Sequence, residues 1–206
     1  MKKLKLFTLS ALVMSFSAFS QESSISIEAS QNITNFKFVN SEGIQDKNYN
    51  VDYSGGYALG YRYKLDFGLF FGAKLGMRQA GATYVYDNTN YQWRLNYAEA
   101  RLQLGYSYSF GKLAAHINVQ PYFAYLLKAN QRLNNEDFDI IDTGEMKRID
   151  YGLFASPGVS FQANDYINIY LDLNYMFGLA NLETNEAQTS NNLLYGATLG
   201  AAFTIK

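Results

Sequence analysis

Apolar side chains occupy every second position over long stretches of this chain. From Ile167 to Leu179 the odd-numbered positions are isoleucine, leucine, tyrosine or phenylalanine, and the even-numbered positions are mostly polar or small. A period of two sends alternate side chains to opposite faces of a β-strand, whereas a helix needs apolar residues three and four positions apart. The stretch therefore predicts a strand with one apolar face and one mostly polar face.

The same alternation recurs in seven further segments, so the pattern predicts eight strands. The first segment is the weakest, because Phe36 and Phe38 fall out of phase with its other apolar residues. The phase also slips near 79–82 and near 96–98, which indicates β-bulges or strand ends. The predicted strands are 25–38, 53–65, 67–78, 98–110, 113–128, 149–162, 167–179 and 193–206.

The predicted connections alternate between short and long. Tight hairpins are expected around Asp66, around Gly111 and over 163–166, because so few residues separate the neighbouring strands there. An even number of strands, with short turns at one end and long loops at the other, is typical of an outer-membrane barrel. Both chain termini would then lie at the short-turn end. The longer, more polar connections are 39–52, 87–91, 129–146 and 181–192.

The first twenty residues have the organisation of a secretory signal. Lys2, Lys3 and Lys5 precede an apolar stretch over 6–19, and a small-residue cleavage site ends at Ser20. The apolar stretch is too short to cross the roughly 30 Å hydrocarbon core of a bilayer comfortably. We therefore expect residues 1–20 to be a cleaved signal peptide and residues 21–206 to form a single β-barrel domain.

Alternation alone leaves open whether the apolar rows face lipid or the inside of a soluble, lipocalin-like barrel. Three features favour lipid. The strands are long enough to cross a bilayer, the opposite rows are rich in small residues that suit a narrow interior, and aromatic rings gather towards strand ends. The aromatic girdle is predicted from Tyr57, Phe67, Tyr106, Phe110, Tyr125, Tyr166, Tyr175 and Phe177.

Ionisable side chains are scattered along the predicted inward rows. The side chains of an eight-stranded barrel nearly fill its interior, and charges buried there must be paired to be tolerated. We therefore predict a structural network that closes the lumen in preference to a charged pore lining. Its predicted members are Arg62, Lys74, Arg78, Glu99, Arg101, His116, Asp150 and Asp172.

The amino-acid composition excludes several kinds of functional site. The 206 residues contain no cysteine, which excludes disulfides, thiolate metal sites and a cysteine nucleophile. The net charge of −1 gives no electrostatic footprint for nucleic acid. Acidic residues crowd the third long loop, but Ile141 stands where a calcium loop would need an acid, so we expect no metal and no cofactor.

The signal peptide, the eight alternating strands and the rhythm of turns and loops resemble the small OmpX/OmpA-like barrels. The likeness is greatest to the porin-like family of outer membrane protein beta-barrel domains, and it covers all of 21–206. The resemblance implies an all-β, eight-stranded antiparallel up-and-down transmembrane β-barrel with short periplasmic turns and long extracellular loops. It also implies contact with outer-membrane lipid and lipopolysaccharide, and with the barrel-assembly machinery during insertion. The terminal aromatic of that class is shifted here to Phe203, and the chain continues to Lys206.

The expected function is that of a non-enzymatic, integral protein of a Gram-negative outer membrane. Its surface loops would serve adhesion, contact with an unidentified extracellular ligand or with lipopolysaccharide, and membrane integrity. Two alternatives stay open, a narrow porin-like channel for ions or small solutes and an enzyme that modifies outer-membrane lipid. The enzyme would depend on His116, the single histidine, together with residues such as Ser156, Ser160 and Asp150.

Overall fold

The chain folds into a closed antiparallel sheet in the computed structural model, which describes residues 21–205 except 88, 135 and 145. The predicted signal peptide at 1–20 and the terminal Lys206 lie outside the described residues. In the described part of the chain, no helix is long and apolar enough to cross a membrane. The strands are β1 (Gln21–Val39), β2 (Gln45–Asp46), β3 (Asn50–Leu65), β4 (Leu69–Tyr86), β5 (Thr89–Phe110), β6 (Leu113–Leu133), β7 (Glu136–Asp139), β8 (Ile149–Gln162), β9 (Ile167–Gly178) and β10 (Thr189–Ile205).

Eight of these strands form the wall of the barrel. The short β2 pairs with the end of β1, and the short β7 pairs with the end of β6. Each wall strand pairs with the next along the chain, and the ladder between β1 and β10 closes the ring from Ser23↔Ile205 to Val39↔Thr189. A closed ring has no free edge, so backbone groups of the wall bond within it. The predicted all-β, eight-stranded, up-and-down architecture is confirmed, and β2 and β7 are additions that the alternation did not predict.

Tight turns join β3 to β4, β5 to β6 and β8 to β9 at one end of the barrel, which we call the turn end. Glycine supplies the conformation that two of them need, because Gly68 has φ +98° and Gly111 has φ +68°. The amide of Gly68 donates to the carbonyl of Leu65 at 2.9 Å, and the Gly68 carbonyl accepts from the amide of Ser107 at 2.8 Å. The turn is therefore tied to the neighbouring strand as well as closed on itself.

The opposite end carries the longer connections and is called the loop end. Its loops are shorter than predicted, since β5 already begins at Thr89 and β6 continues to Leu133. The alternation changes there for a physical reason. Beyond the apolar band the outward positions are polar, as at the exposed Arg94 and Lys128, whereas the inward positions are apolar, as at the buried Leu95 and Ala129. The apolar row therefore changes face, and the period-two pattern of the membrane band does not continue in phase.

The apolar rows face outward and the opposite rows face the interior. Tyr57 and Leu75 are 62% and 68% exposed, whereas Lys74 and Arg78 are 3% and 2% exposed. The two predicted phase slips coincide with shifts in the ladders, between Val51 and Gly56 and between Asn96 and Tyr97. In both cases the extra residue lies on the neighbouring strand, on β3 for the slip near 79–82 and on β6 for the slip near 96–98. The pattern therefore located each interruption correctly but assigned it to the wrong strand of the pair.

The interior has two layers of different chemistry. Charged and polar side chains fill the middle and the turn-end half, and an apolar cluster that includes Phe36, Leu126, Met176, Leu182 and Leu194 fills the loop-end half. Phe36 is out of phase with the outward apolar residues of β1, as expected. It continues the buried row of that strand and is apolar because the interior itself has become apolar at that level.

The turn end generates a prediction about Gly68. A Cβ on Gly68 would lie 2.2 Å from the carbonyl oxygen of Ser107, whereas a Cβ on Gly111 would meet nothing within 4 Å. Both substitutions to alanine carry a cost of about 1–2 kcal/mol for positive φ, and only Gly68→Ala adds the steric collision. Urea unfolding of the barrel in lipid vesicles should show a clearly lower midpoint for Gly68→Ala than for Gly111→Ala. Equal midpoints would show that the Ser107 contact is unimportant.

Candidate functional site in the barrel interior and at its mouth

Six buried ionisable side chains form one connected chain across the lumen. They come from β1, β4, β5 and β8, and their charges alternate in sign from one end to the other. The guanidinium of Arg78 joins two carboxylates, with Nη2 2.9 Å from Oδ2 of Asp150 and Nε 3.0 Å from Oε2 of Glu99. In order, the members of this charge chain are Asp150, Arg78, Glu99, Arg101, Glu28 and Lys74.

The second half of the charge chain runs from Glu99 to the amine of Lys74. Arg101 donates from Nε to Oε1 of Glu99 at 2.8 Å, and its Nη1 lies 3.6 Å from Oε1 of Glu28. The amine of Lys74 donates to Oε2 of Glu28 at 2.6 Å. Three cations therefore face three carboxylates, so the buried cluster carries no net charge, which is the condition for tolerating ions away from water.

Aromatic and amide groups complete the coordination of these charges. The hydroxyls of Tyr122 and Tyr170 donate to Asp150 and Glu28 at 3.1 and 2.8 Å. Asn192 donates to Asp150 at 2.8 Å. The guanidinium carbon of Arg101 lies 4.5 Å above the ring of Phe154, a cation–π contact. Each charge thus has partners from several strands, and the network joins opposite sides of the wall.

The structure brings five of the eight predicted network residues into this chain, namely Lys74, Arg78, Glu99, Arg101 and Asp150. His116 and Asp172 form a separate buried pair, with Nε2 2.6 Å from Oδ1. The half-buried Arg62 contacts Gln103 at 3.4 Å and stacks on Phe70 with 4.6 Å to the ring centroid.

Sequence reasoning missed Glu28, although Glu28 binds both Lys74 and Arg101. Glu28 lies on the first strand, whose alternation is weak, and that strand was predicted from its apolar row alone. The signal was present, because Ser24, Ser26 and Glu28 alternate with Ile25 and Ile27.

The groups considered for catalysis have other partners. His116 bonds Asp172, while the hydroxyl of Ser156 donates to Asn174 at 2.8 Å and accepts from Gln120 at 3.3 Å. Within the described ranges, no group of three or more histidine or acidic side chains could hold a metal ion.

Two cavities flank the charge chain. A cavity of about 40 Å³ at the turn end is lined by residues that include Glu22, Arg62, Lys64 and Ser160. A larger one of about 210 Å³, which we call the mouth cavity, opens at the loop end. The mouth cavity is lined by Phe36, Phe38, Tyr49, Trp93, Gln131, Ile140, Met146, Glu183 and Ser190.

Tyr49 lies at the centre of the aromatic part of the mouth cavity. Its ring centroid is 5.5 Å from that of Phe38 and 5.7 Å from that of Trp93. Burial, together with the negative charges of Glu183 and Asp46, raises the pKa of Tyr49 to about 12. The cavity therefore combines aromatic rings with nearby carboxylates.

The predicted girdle residues lie on the outer face, and all but the half-buried Phe177 are exposed. They fall into two groups. Phe67, Tyr106, Phe110 and Tyr166 lie towards the turn end, and Tyr57, Tyr125, Tyr175 and Phe177 lie towards the loop end. Ten positions separate Tyr57 from Phe67, and a tilted strand covers about 25 Å over that distance, which matches the apolar band of a membrane barrel.

Above this band, the outer face between β5 and β8 carries several basic side chains, and two of its arginines pair with carboxylates, Arg132 with Asp137 and Arg148 with Asp142. Arg94, Lys128, Lys147 and Arg148 are exposed there. A hydrogen-bonded pair with Arg132 lowers the pKa of Asp137, and the charges of Arg94 and Lys128 lower it as well. The arginine and lysine heads are thus close enough to act on one carboxylate together.

Comparison with known proteins gives a consistent fold. The family model described as outer membrane protein beta-barrel domain matches residues 19–183. No curated protein matches the chain. Among solved structures, the outer membrane protein OprG from Pseudomonas aeruginosa has a TM-score of 0.56 at 9% identity, over 89% of this chain and 96% of that one. Neisserial surface protein A (TM-score 0.45, 13% identity, 85% and 95% coverage) and Ail of Yersinia pestis (0.44, 15%, 89% and 98%) are also similar.

The charge chain predicts a large effect of Glu99→Gln. This change removes one of the three carboxylates of the charge chain and leaves Arg78 and Arg101 without their shared partner. Breaking a buried ion pair on one side costs about 3–5 kcal/mol, so the urea midpoint of the folded barrel should fall sharply. The matched control is Asp137→Asn, whose exposed pair with Arg132 contributes little.

A double variant separates charge from packing. Arg101→Met in the Glu99→Gln background removes one orphaned cation and should restore part of the lost stability. If Glu99→Gln and Asp137→Asn unfold at the same midpoint, or if Arg101→Met gives no recovery, the charge chain is not what holds the interior together.

Proposed function

The chain belongs to the family of outer membrane protein beta-barrel domains, and from this premise we propose that it is a closed, non-enzymatic barrel that presents its loop end at the cell surface. It is an integral protein of the outer membrane. The turn end, where β1 begins and β10 ends, faces the periplasm, and the loop end faces outward. One observation carries the proposal of a closed barrel, namely the charge chain that crosses the lumen.

Two layers support closure. The charge chain fills the middle of the lumen with paired side chains that would lose their partners if they moved aside to admit a solute. Above it, Leu126, Met176 and Leu194 are each no more than 1% exposed and form part of an apolar layer. An ion would have to leave water to pass that layer, which is costly without a compensating partner. We therefore favour a closed scaffold over the porin-like channel.

The enzymatic alternative is less well supported. A lipid-modifying enzyme needs a nucleophile and a base within hydrogen-bond reach at a place that lipid can enter. His116 and Ser156 instead have separate partners inside the barrel, at 6% and 0% exposure.

We further propose that the two groups of outward rings are the girdles that fix the barrel in the membrane. Phe203, outward on β10, is the candidate for recognition by the assembly machinery during insertion. The signal peptide at 1–20 remains part of the proposal for export.

Lipopolysaccharide contact is the part of the function that the outer face supports. A groove there is lined by Tyr125, Ile149 and Tyr151 from the apolar band and by Lys147 and Arg148 above them. Apolar side chains suit acyl chains, and lysine and arginine heads at the membrane boundary suit phosphate groups. The groove therefore fits a phosphorylated lipid of the outer leaflet, and holding such lipids would contribute to membrane integrity.

Conductance tests closure. Purified protein incorporated into planar bilayers should give no discrete current steps under conditions in which a general porin conducts. Correct insertion is checked with single cysteines, which are unique labels because the chain contains none of its own. Glu186→Cys at the loop end should react with an impermeant maleimide on intact cells, and Lys112→Cys at the turn end should not. Reproducible current steps from correctly inserted protein would favour the channel.

Charge reversal tests lipopolysaccharide contact. Lys147→Glu should reduce the amount of lipopolysaccharide that co-purifies with the barrel several-fold, and Lys128→Glu combined with it should reduce it further. Lys112→Glu is the matched control, because it makes the same charge change at an exposed position of the turn end. Equal retention by Lys147→Glu and the unmodified protein, or an equal loss in Lys112→Glu, would contradict the proposed contact.

A further inference from the structure

The hairpin that β4 and β5 form at the loop end carries four aromatic rings on one face. Tyr84 and Tyr86 are two positions apart on β4, and Tyr91 and Trp93 are two positions apart on β5, so each pair shares a face. The ladder places Tyr84 directly opposite Tyr91, and their ring centroids are 6.4 Å apart. The four rings therefore form one surface across both strands, which we call the ring platform.

The rings of each strand lie nearly parallel to each other. The planes of Tyr84 and Tyr86 differ by 16° with centroids 6.5 Å apart, and those of Tyr91 and Trp93 differ by 14° with centroids 6.0 Å apart. Tyr86 is 65% exposed and the other three residues are half-buried. The platform is thus a preformed row of rings whose surface remains accessible from solution.

The ring platform faces the axis of the barrel. Trp93 lines the mouth cavity, and Tyr49 packs against the same face, with its ring centroid 5.0 Å from that of Tyr84. The neighbouring Val85 and Arg94 are exposed on the opposite, outer face of the hairpin. Lipids of the outer leaflet surround the outer face of the wall. The platform is therefore turned away from them and towards the solution above the mouth.

A polar side chain adjoins the rings. Gln131 lies opposite Trp93 in the ladder between β5 and β6 and also lines the mouth cavity. Within the part of the chain that the structure describes, its side-chain amide has no hydrogen-bond partner, so it can donate and accept towards a ligand. Neither this amide nor the four rings carry a charge at neutral pH. The surface therefore combines apolar ring faces with uncharged hydrogen-bonding groups.

We propose that the ring platform binds a short, uncharged chain of β-linked pyranose sugars that reaches the cell from outside. The flat C–H face of a pyranose packs on an aromatic ring, and the hydroxyls around its rim can bond to an amide such as that of Gln131. A row of parallel rings suits a ligand that repeats a flat unit, and an uncharged surface suits a ligand without charge. The proposal goes beyond the proposed function and rests on it only in placing the loop end at the cell surface.

Trp93 is the only tryptophan of the chain, so its emission reports directly on the platform. The full-length folded barrel, in an amine oxide detergent that has no sugar head group, is titrated with cellotetraose. Sorbitol, an open-chain polyol without a flat face, is titrated in parallel at matched hydroxyl concentration. We expect a saturable change with cellotetraose and binding at least about tenfold weaker for sorbitol, because only the pyranose can stack on the rings.

Variants on the two faces of the hairpin locate the contact. Tyr86→Ala should weaken cellotetraose binding about tenfold, whereas Tyr86→Phe keeps the ring and should bind within about twofold of the unmodified protein. Val85→Ala is the matched control, because it shortens the adjacent side chain on the outer face and should leave binding unchanged. Gln131→Met keeps the length of the side chain but removes the amide, and should weaken binding about fivefold. Heat-modifiable gel mobility confirms that each variant is folded.

Each other outcome overturns the proposal. Equal responses to cellotetraose and sorbitol would show that stacking plays no part, and the absence of a saturable response to cellotetraose would show no site. Equal weakening in Tyr86→Ala and Val85→Ala would show a general effect on the hairpin. Displacement of cellotetraose by purified lipopolysaccharide would contradict a source outside the cell. None of these results bears on closure of the lumen, which the conductance measurement decides, or on orientation, which the cysteine labelling decides.

Discussion

A ring of eight strands encloses a space that side chains must fill, and this constraint determines what each strand can place inside. In the middle of this barrel the space is filled by ions. Asp150, Arg78, Glu99, Arg101, Glu28 and Lys74 are tolerable there because each cation contacts at least one carboxylate and each carboxylate contacts at least one cation. Since the members lie on four strands, their pairing also specifies how those strands face one another across the lumen.

Above the charge chain, apolar side chains fill the interior of the barrel. At the level of Leu126, Met176 and Leu194 the inward side chains are apolar, and Phe36 and Leu182 close the gap from β1 and from the last loop. Apolar side chains need no partner of opposite charge. This layer can therefore pack loop segments onto the wall as well as strands onto each other. The mouth cavity thus lies on a packed floor, and its rings are held in place by the fold.

The sequence predicted the parts of the fold that depend on one strand at a time. Period two, the number of wall strands and the tight turns around Gly111 are local properties, and they were recovered. Glu28 was missed because its importance comes from Lys74 and Arg101, which are distant in sequence. Tyr49 was missed for a similar reason, since a ring in a polar loop gains a role only when β1, β5 and the last loop surround it.

Strand β5 shows how one strand serves several environments at once. Glu99 and Arg101 point into the lumen, where they belong to the charge chain. The next residue, Leu102, points outward to lipid. Nearer the loop end, Trp93 lines the mouth cavity and its neighbour Arg94 is exposed on the outer rim. Because successive residues face opposite sides of the wall, adjacent residues of β5 contribute to two separate surfaces, the mouth cavity and the outer rim. The buried ion pairs of Glu99 and Arg101 tie the same strand to β4 and β1 across the lumen, so one strand both shapes these surfaces and fixes its own place in the wall.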